Sequence, residues 1–133
     1  MSGKPSIVLV DDERIIVDSL RLQIRRLRGE LEVECAGSVS EAWELLEELH
    51  ADGSTVLVVI SDWLMPVTRG DAFLDELKSK FPGIKRVLLT GQADEEALRR
   101  VRDRDLVDLM LHKPWSEQDI RDVMALVPPC DGP

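Results

Sequence analysis

The sequence has few of the features that mark secreted or membrane-spanning proteins. It contains two cysteines, Cys35 in an apolar run and Cys130 near the end, so we expect neither a structural disulfide nor a cysteine-ligated metal. No apolar run approaches the length that spans a bilayer, and the first residues lack the apolar core of a signal peptide. These absences predict a cytoplasmic protein that does not associate with a membrane.

Positive charge is also in short supply. The chain has 17 lysines and arginines against 26 acidic residues, a formal net charge of −9. Sequence-independent nucleic-acid binding depends on a surplus of basic residues, so we predict no direct contact with nucleic acid. An acidic balance is compatible with binding divalent cations. Nucleotide binding is the weakest alternative, because no glycine-rich phosphate loop follows the first apolar run.

The composition that remains is typical of one folded domain. Hydrophobic residues make up 44% of the chain and charged residues 32%, and 133 residues suffice for a single core. We place the domain at residues 1–127. The segment 128–133, PPCDGP, is interpreted as a tail or the start of a linker.

Short apolar runs alternate with segments of helical periodicity. The runs predict five strands buried on both faces, at Ile7–Val10, Leu31–Ala36, Val56–Ile60, Val87–Thr90 and Val107–Leu111. Apolar residues at helical spacing predict five helices, the fourth around Ala97, Leu98 and Val101. Because crossovers between parallel strands are right-handed, this order predicts an α/β fold with helices on both faces of a parallel sheet.

Polar side chains follow four of the five predicted strands, at Asp11 and Asp12, Asp62, Thr90 and Lys113. The carboxyl ends of parallel strands form one edge of the sheet, where ligands bind in open α/β folds. Three carboxylates at one edge repel one another, and a hard dication such as Mg²⁺ would relieve that repulsion.

The same residues are sufficient for phosphoryl transfer, which needs mainly positioning and charge neutralisation. Lys113 could pair with one phosphoryl oxygen and the Thr90 hydroxyl could donate to another. A carboxylate is already ionised at neutral pH and can attack phosphorus without a general base, which would form an aspartyl phosphate.

In these motifs the chain resembles the response-regulator receiver domains of two-component signalling, over nearly its whole length. The matching stretches are "DD" at residues 11–12, "SDWLMPVTRG" around Asp62, "LLTG" around Thr90 and "KPW" from Lys113. The resemblance implies a doubly wound, flavodoxin-like sheet in the order 2-1-3-4-5. It also implies a module that promotes its own phosphorylation and dephosphorylation without turning over a separate substrate.

The roles of the residues follow from the same resemblance. Asp62 would accept a phosphoryl group from a histidine kinase or phosphotransfer protein, with Thr90 and Lys113 contacting that group. Mg²⁺ would be bound by Asp11, Asp12, Asp62 and the backbone carbonyl of Leu64. The chain is either a single-domain regulator or the receiver of a longer parent protein with an output domain, and a homodimer through the fourth helix, fifth strand and fifth helix is a further expected partner.

Two residues depart from the family pattern. Met110 stands where many receivers have Tyr or Phe, so an aromatic flip cannot be the switch. Trp115 stands where Phe or another apolar residue is more common, and it is a candidate partner contact. Leu64 and Gln92 flank the expected phosphate, where they would either obstruct or orient the water that hydrolyses the aspartyl phosphate.

Two other function classes remain open on the sequence. One is a receiver-like interaction module that takes no phosphate. The other is a phosphatase of the haloacid dehalogenase type, but that family places its nucleophile in an Asp-x-Asp pattern after the first strand.

Overall fold

The computed structural model describes residues 4–63, 70–91, 99, 102 and 105–127. Its centre is a five-stranded parallel sheet in the order β2-β1-β3-β4-β5, which confirms the predicted topology. The strands are β1 (Pro5–Val10), β2 (Glu32–Ala36), β3 (Thr55–Asp62), β4 (Lys85–Thr90) and β5 (Leu109–His112).

Four helices lie in the described part of the chain: α1 (Arg14–Leu27), α2 (Val39–Ala51), α3 (Gly70–Lys80) and the C-terminal helix α4 (Glu117–Met124). They correspond to four of the five predicted helices. The remaining predicted helix, the one around Ala97, Leu98 and Val101, falls outside the described residues, as do Leu64, Gln92 and the tail 128–133. None of the described helices is long and apolar enough to cross a membrane.

Each face of the sheet has its own apolar core. Ile7 and Leu9 pack with α1 and α4 on one face, and Val8 and Val10 pack with α2 and α3 on the other. Successive side chains of a strand point to opposite faces, so a strand covered on both sides must be apolar throughout. All four of these β1 residues are at most 1% exposed. Their burial fixes the position of the residues that follow the strand.

Several predicted strand ends differ from the structure by two residues: β1 begins at Pro5 rather than Ile7, and β3 runs to Asp62 rather than Ile60. β4 begins two residues earlier than predicted and includes Arg86, which is only 7% exposed. The Arg86 side chain donates to the carbonyls of Leu106 (2.7 Å) and Ile84 (3.4 Å). Asp108 exchanges two further hydrogen bonds with the Arg86 backbone, so β5 begins only at Leu109 rather than at Val107.

Candidate functional site

Asp11 and Asp12 follow β1, Asp62 ends β3, and the three aspartates form one cluster. Asp11, Asp12 and Asp62 each have a carboxylate oxygen within 4.8 Å of the others. Val10 and Ser61 are paired in register, so the two neighbouring strands deliver Asp11 and Asp62 to the same point. Asp11 and Asp62 are 4% and 5% exposed, whereas Asp12 is exposed to solvent. The cluster is therefore a crevice with one solvent-facing side.

Backbone hydrogen bonds hold Asp11 in place. Its amide donates to the carbonyl of Ala36 at the end of β2 (3.1 Å), and its Oδ1 accepts from the amide of Glu13 (2.8 Å). The second bond ties the carboxylate to the start of α1. Asp11 Oδ1 therefore has a hydrogen-bond partner within the protein, while Oδ2 is the oxygen that faces Lys113.

Lys113 places a positive charge in direct contact with the acids of the crevice. Its Nζ lies 3.3 Å from Asp62 Oδ1, 3.5 Å from Asp11 Oδ2 and 3.4 Å from Glu13 Oε1. The Lys113 amide donates to the carbonyl of Thr90 (2.8 Å), which fixes the lysine relative to β4. The Lys113–Pro114 peptide is cis.

The charges in the crevice are not balanced. Burial raises the pKa of Asp11 from 3.8 to about 6, and the neighbouring Asp62 adds to that rise. Burial also raises the pKa of Asp62, although Lys113 acts in the opposite direction. Burial alone would lower the pKa of Lys113, but Asp11 and Asp62 outweigh it and the pKa lies above its usual value. Lys113 is a single positive charge in ion-pair contact with three carboxylates, so these contacts leave net negative charge that favours an additional cation.

Two buried polar atoms in this region have no hydrogen-bond partner among the described residues. They are Oδ2 of Asp11 and Oγ1 of Thr90, and Thr90 is fully buried. Leaving a buried polar atom unpaired costs on the order of 1–3 kcal/mol. A carboxylate oxygen without a hydrogen bond, beside two further carboxylates, fits the oxygen-rich coordination that Mg²⁺ prefers. The residues present therefore suit a magnesium site.

The structure brings together most of the site residues that the sequence indicated. Asp11, Asp12, Asp62 and Lys113 meet in one crevice, and Thr90 lies at the end of the adjacent strand. The carbonyl of Leu64 lies outside the described residues, so its predicted role as a ligand stays a prediction. Glu13 was missed. The signal for it was its position directly after the acidic pair, where a third acid reaches the same crevice.

The tryptophans beside the site have distinct environments. Trp63, which follows Asp62, is 5% exposed, and its amide donates to the carbonyl of Leu89 (2.9 Å). Trp115 donates through Nε1 to Oε1 of Gln23, and this bond links the segment 113–115 to α1. A groove of about 400 Å³ lies between these two segments, lined by Ile16, Ser19, Gln23, Lys113, Pro114 and Trp115.

Comparison with known proteins agrees with this geometry. Residues 7–125 match the response regulator receiver domain family. Sensor kinase CckA of Brucella abortus is 38% identical over 119 residues, covering 87% of this chain and 12% of the relative. The hydrogenase transcriptional regulatory protein HoxA of Cupriavidus necator is 33% identical over 126 residues, covering 93% of this chain and 24% of the relative. The chain thus spans at most about a quarter of these curated relatives.

Solved structures show the same fold. An uncharacterised protein from Neptuniibacter caesariensis superposes with a TM-score of 0.81 at 33% identity, covering 94% of this chain and 87% of that one. The signal receiver domain of an HD domain-containing protein from Pseudomonas fluorescens Pf-5 gives a TM-score of 0.80 at 25% identity, with the same coverage of 94% and 87%. The chain belongs to the response regulator receiver domain family and is a module of two-component phosphorelay signalling.

Proposed function

We propose that Asp62 is the phosphoryl acceptor of this receiver. The observation that carries the proposal is the position of Lys113 Nζ, 3.3 Å from Asp62 Oδ1, in a crevice shared with two other aspartates. The resemblance of the stretch around Asp62 to the receiver family favours Asp62 over Asp11, since it is the aspartate after the third strand that accepts the phosphoryl group in that family. Asp12 is exposed and makes no ion pair with Lys113 among the described residues.

In the proposed reaction an Asp62 carboxylate oxygen attacks the phosphorus of the donor. A new oxygen–phosphorus bond forms, and the donor's bond to phosphorus breaks with its electron pair leaving on the donor. Lys113 would form an ion pair with one phosphoryl oxygen, and the Thr90 hydroxyl would donate a hydrogen bond to another. Asp11, Asp12, Asp62 and the Leu64 carbonyl would hold Mg²⁺, which supplies charge neutralisation at the phosphoryl group.

The consequence of phosphorylation would be a change in partner binding. Thr90 has a buried hydroxyl without a partner among the described residues, so a phosphoryl group on Asp62 would draw it toward the site as a new hydrogen-bond acceptor. The donor would be a histidine kinase or phosphotransfer protein in the cytoplasm. Because curated relatives include a sensor kinase and transcriptional regulators, the domain at residues 1–127 would act with an output domain of a longer protein. A homodimer through the fourth predicted helix, β5 and α4 is a further proposed state.

The test is intact mass after incubation with Mg²⁺ and acetyl phosphate. We expect a gain of one phosphoryl group per chain, loss of the gain when EDTA removes the metal, and no gain in Asp62→Asn. Asp18→Asn, an exposed acid on α1, serves as the matched control and should gain the group like the wild type.

Two other outcomes would contradict the proposal. Release of inorganic phosphate with no adduct, also under rapid quenching, would indicate a phosphatase. No modification and no Mg²⁺-dependent change would indicate an interaction module that takes no phosphate.

A further inference from the structure

Lys113 has a third acidic partner that the proposed reaction does not use. Its Nζ lies 3.4 Å from Glu13 Oε1, about as far as from Asp62 (3.3 Å) and Asp11 (3.5 Å). Charge-assisted hydrogen bonds between N⁺–H and O⁻ are usually about 2.7–2.9 Å long. The ammonium is therefore shared among three carboxylates and bound closely by none of them.

Glu13 differs from the other two acids in its exposure. Its side chain is 63% exposed, against 2% for Asp11 and 7% for Asp62. Its backbone is fixed, since its amide donates to Asp11 Oδ1 and its carbonyl accepts from the amides of Ile16 and Val17. The Glu13 carboxylate thus contacts the ammonium from the solvent side of the crevice, whereas Asp11 and Asp62 contact it from the buried side.

We infer that Glu13 is a positioning residue that holds Lys113 toward solvent in the unphosphorylated state and thereby slows phosphoryl capture by Asp62. The inference rests on the proposed function. When Asp62 attacks acetyl phosphate, the phosphorus–oxygen bond to acetate breaks and acetate leaves with the electron pair. In the inferred mechanism Lys113 moves to the phosphoryl oxygens as this happens, and its contact with Glu13 is lost.

Two variants of Glu13 separate this restraint from a general charge effect. Glu13→Gln keeps the size of the side chain and removes its charge. Glu13→Asp keeps the negative charge on the solvent side of the crevice. Its side chain is one methylene shorter, so the carboxylate no longer reaches Lys113. Asp18→Asn removes an exposed acid of α1, the helix that begins directly after Glu13, and Asp18 is not among the acids contacting Lys113 in the described structure.

The experiment measures the rate constant of phosphoryl capture from acetyl phosphate at saturating Mg²⁺, by quenched intact mass. We expect Glu13→Gln and Glu13→Asp to be faster than the wild type by about 1.4- to fivefold, the range for breaking one solvent-exposed ion pair. Asp18→Asn should match the wild type. Unchanged or slower capture in both Glu13 variants, or acceleration in Glu13→Gln and Asp18→Asn but not in Glu13→Asp, would overturn the inference.

A spectroscopic readout tests the same contact without the reaction rate. The Cε NMR resonance of Lys113 should shift between wild type and Glu13→Gln in the unphosphorylated state. In the phosphorylated state, held by excess acetyl phosphate, that difference should be at least halved. An equal difference in both states would overturn the inference. Failure of the wild type to capture phosphate would instead contradict the proposed function, so the two failures are distinguishable.

Discussion

Asp11 is the residue whose surroundings most clearly require a cation. Its folded-state pKa of about 6 lies above the ordinary value of 3.8, mainly because the carboxyl is buried. Between these pH values the folded state binds the proton more tightly than the unfolded chain does. Without metal, the free energy of unfolding should therefore fall as pH rises from about 4 to above 6, by on the order of 3 kcal/mol.

Replacing Asp11 by Asn removes this titration. In EDTA at pH 7 to 8, we expect Asp11→Asn to be more stable than the wild type by about 1–3 kcal/mol, with the difference vanishing near pH 4. Mg²⁺ should stabilise the wild type and leave the variant almost unchanged. Urea unfolding across this pH range is the measurement, and Glu48→Gln, an exposed acid on α2, is the control. Equal stability of wild type and Asp11→Asn at pH 8 in EDTA would contradict the prediction.

At the scale of the elements, β4 carries a buried charge that ties together the β5 side of the sheet. Arg86 hydrogen-bonds the carbonyls of Ile84 and Leu106, and its backbone pairs with Asp108 just before β5. These bonds position the strands that end in Thr90 and lead to Lys113. Arg86→Ala leaves two carbonyls without their donor, and we expect a loss of about 2–4 kcal/mol of unfolding free energy.

The neighbouring residue provides a control for that loss. Lys85 begins the same strand but is exposed, so Lys85→Ala should change stability by no more than about 0.5 kcal/mol. Urea unfolding of the two variants beside the wild type makes the comparison. Similar losses in both variants would mean that the strand tolerates neither substitution and that the Arg86 side-chain bonds are not the cause.

The same elements show what a sequence can and cannot predict. Asp11, Asp62 and Lys113 were predictable as a group because parallel strands end at one edge, whatever the details of packing. Arg86 was not, because a charged residue at the margin of an apolar run reads as a boundary, and backbone carbonyl partners leave no mark in the sequence. The position of Glu13 after the acidic pair indicated that it lies near the crevice, but not that it contacts Lys113, since that contact joins residues 100 positions apart through the side-chain torsions of an exposed residue.

At the scale of the whole molecule, the net charge of −9 acts on everything that approaches the crevice. It attracts Mg²⁺ and repels an anionic phosphoryl donor, and the charge stays negative after one divalent cation has bound. Salt screens both effects, because the Debye length falls from about 10 Å at 0.1 M to about 3 Å at 1 M. The two steps of the proposed reaction should therefore respond to salt in opposite directions.

Over that range of NaCl, we expect Mg²⁺ affinity to fall and the rate of capture from acetyl phosphate at saturating Mg²⁺ to rise, each by about two- to fivefold. Calorimetric titration measures the first and quenched intact mass the second. Choline chloride at the same concentrations is the control, since its cation screens charge but does not compete for carboxylates as Na⁺ does. A capture rate that falls with salt would mean that the donor is recruited by local positive charge, with Lys113 outweighing the acidic surface around it.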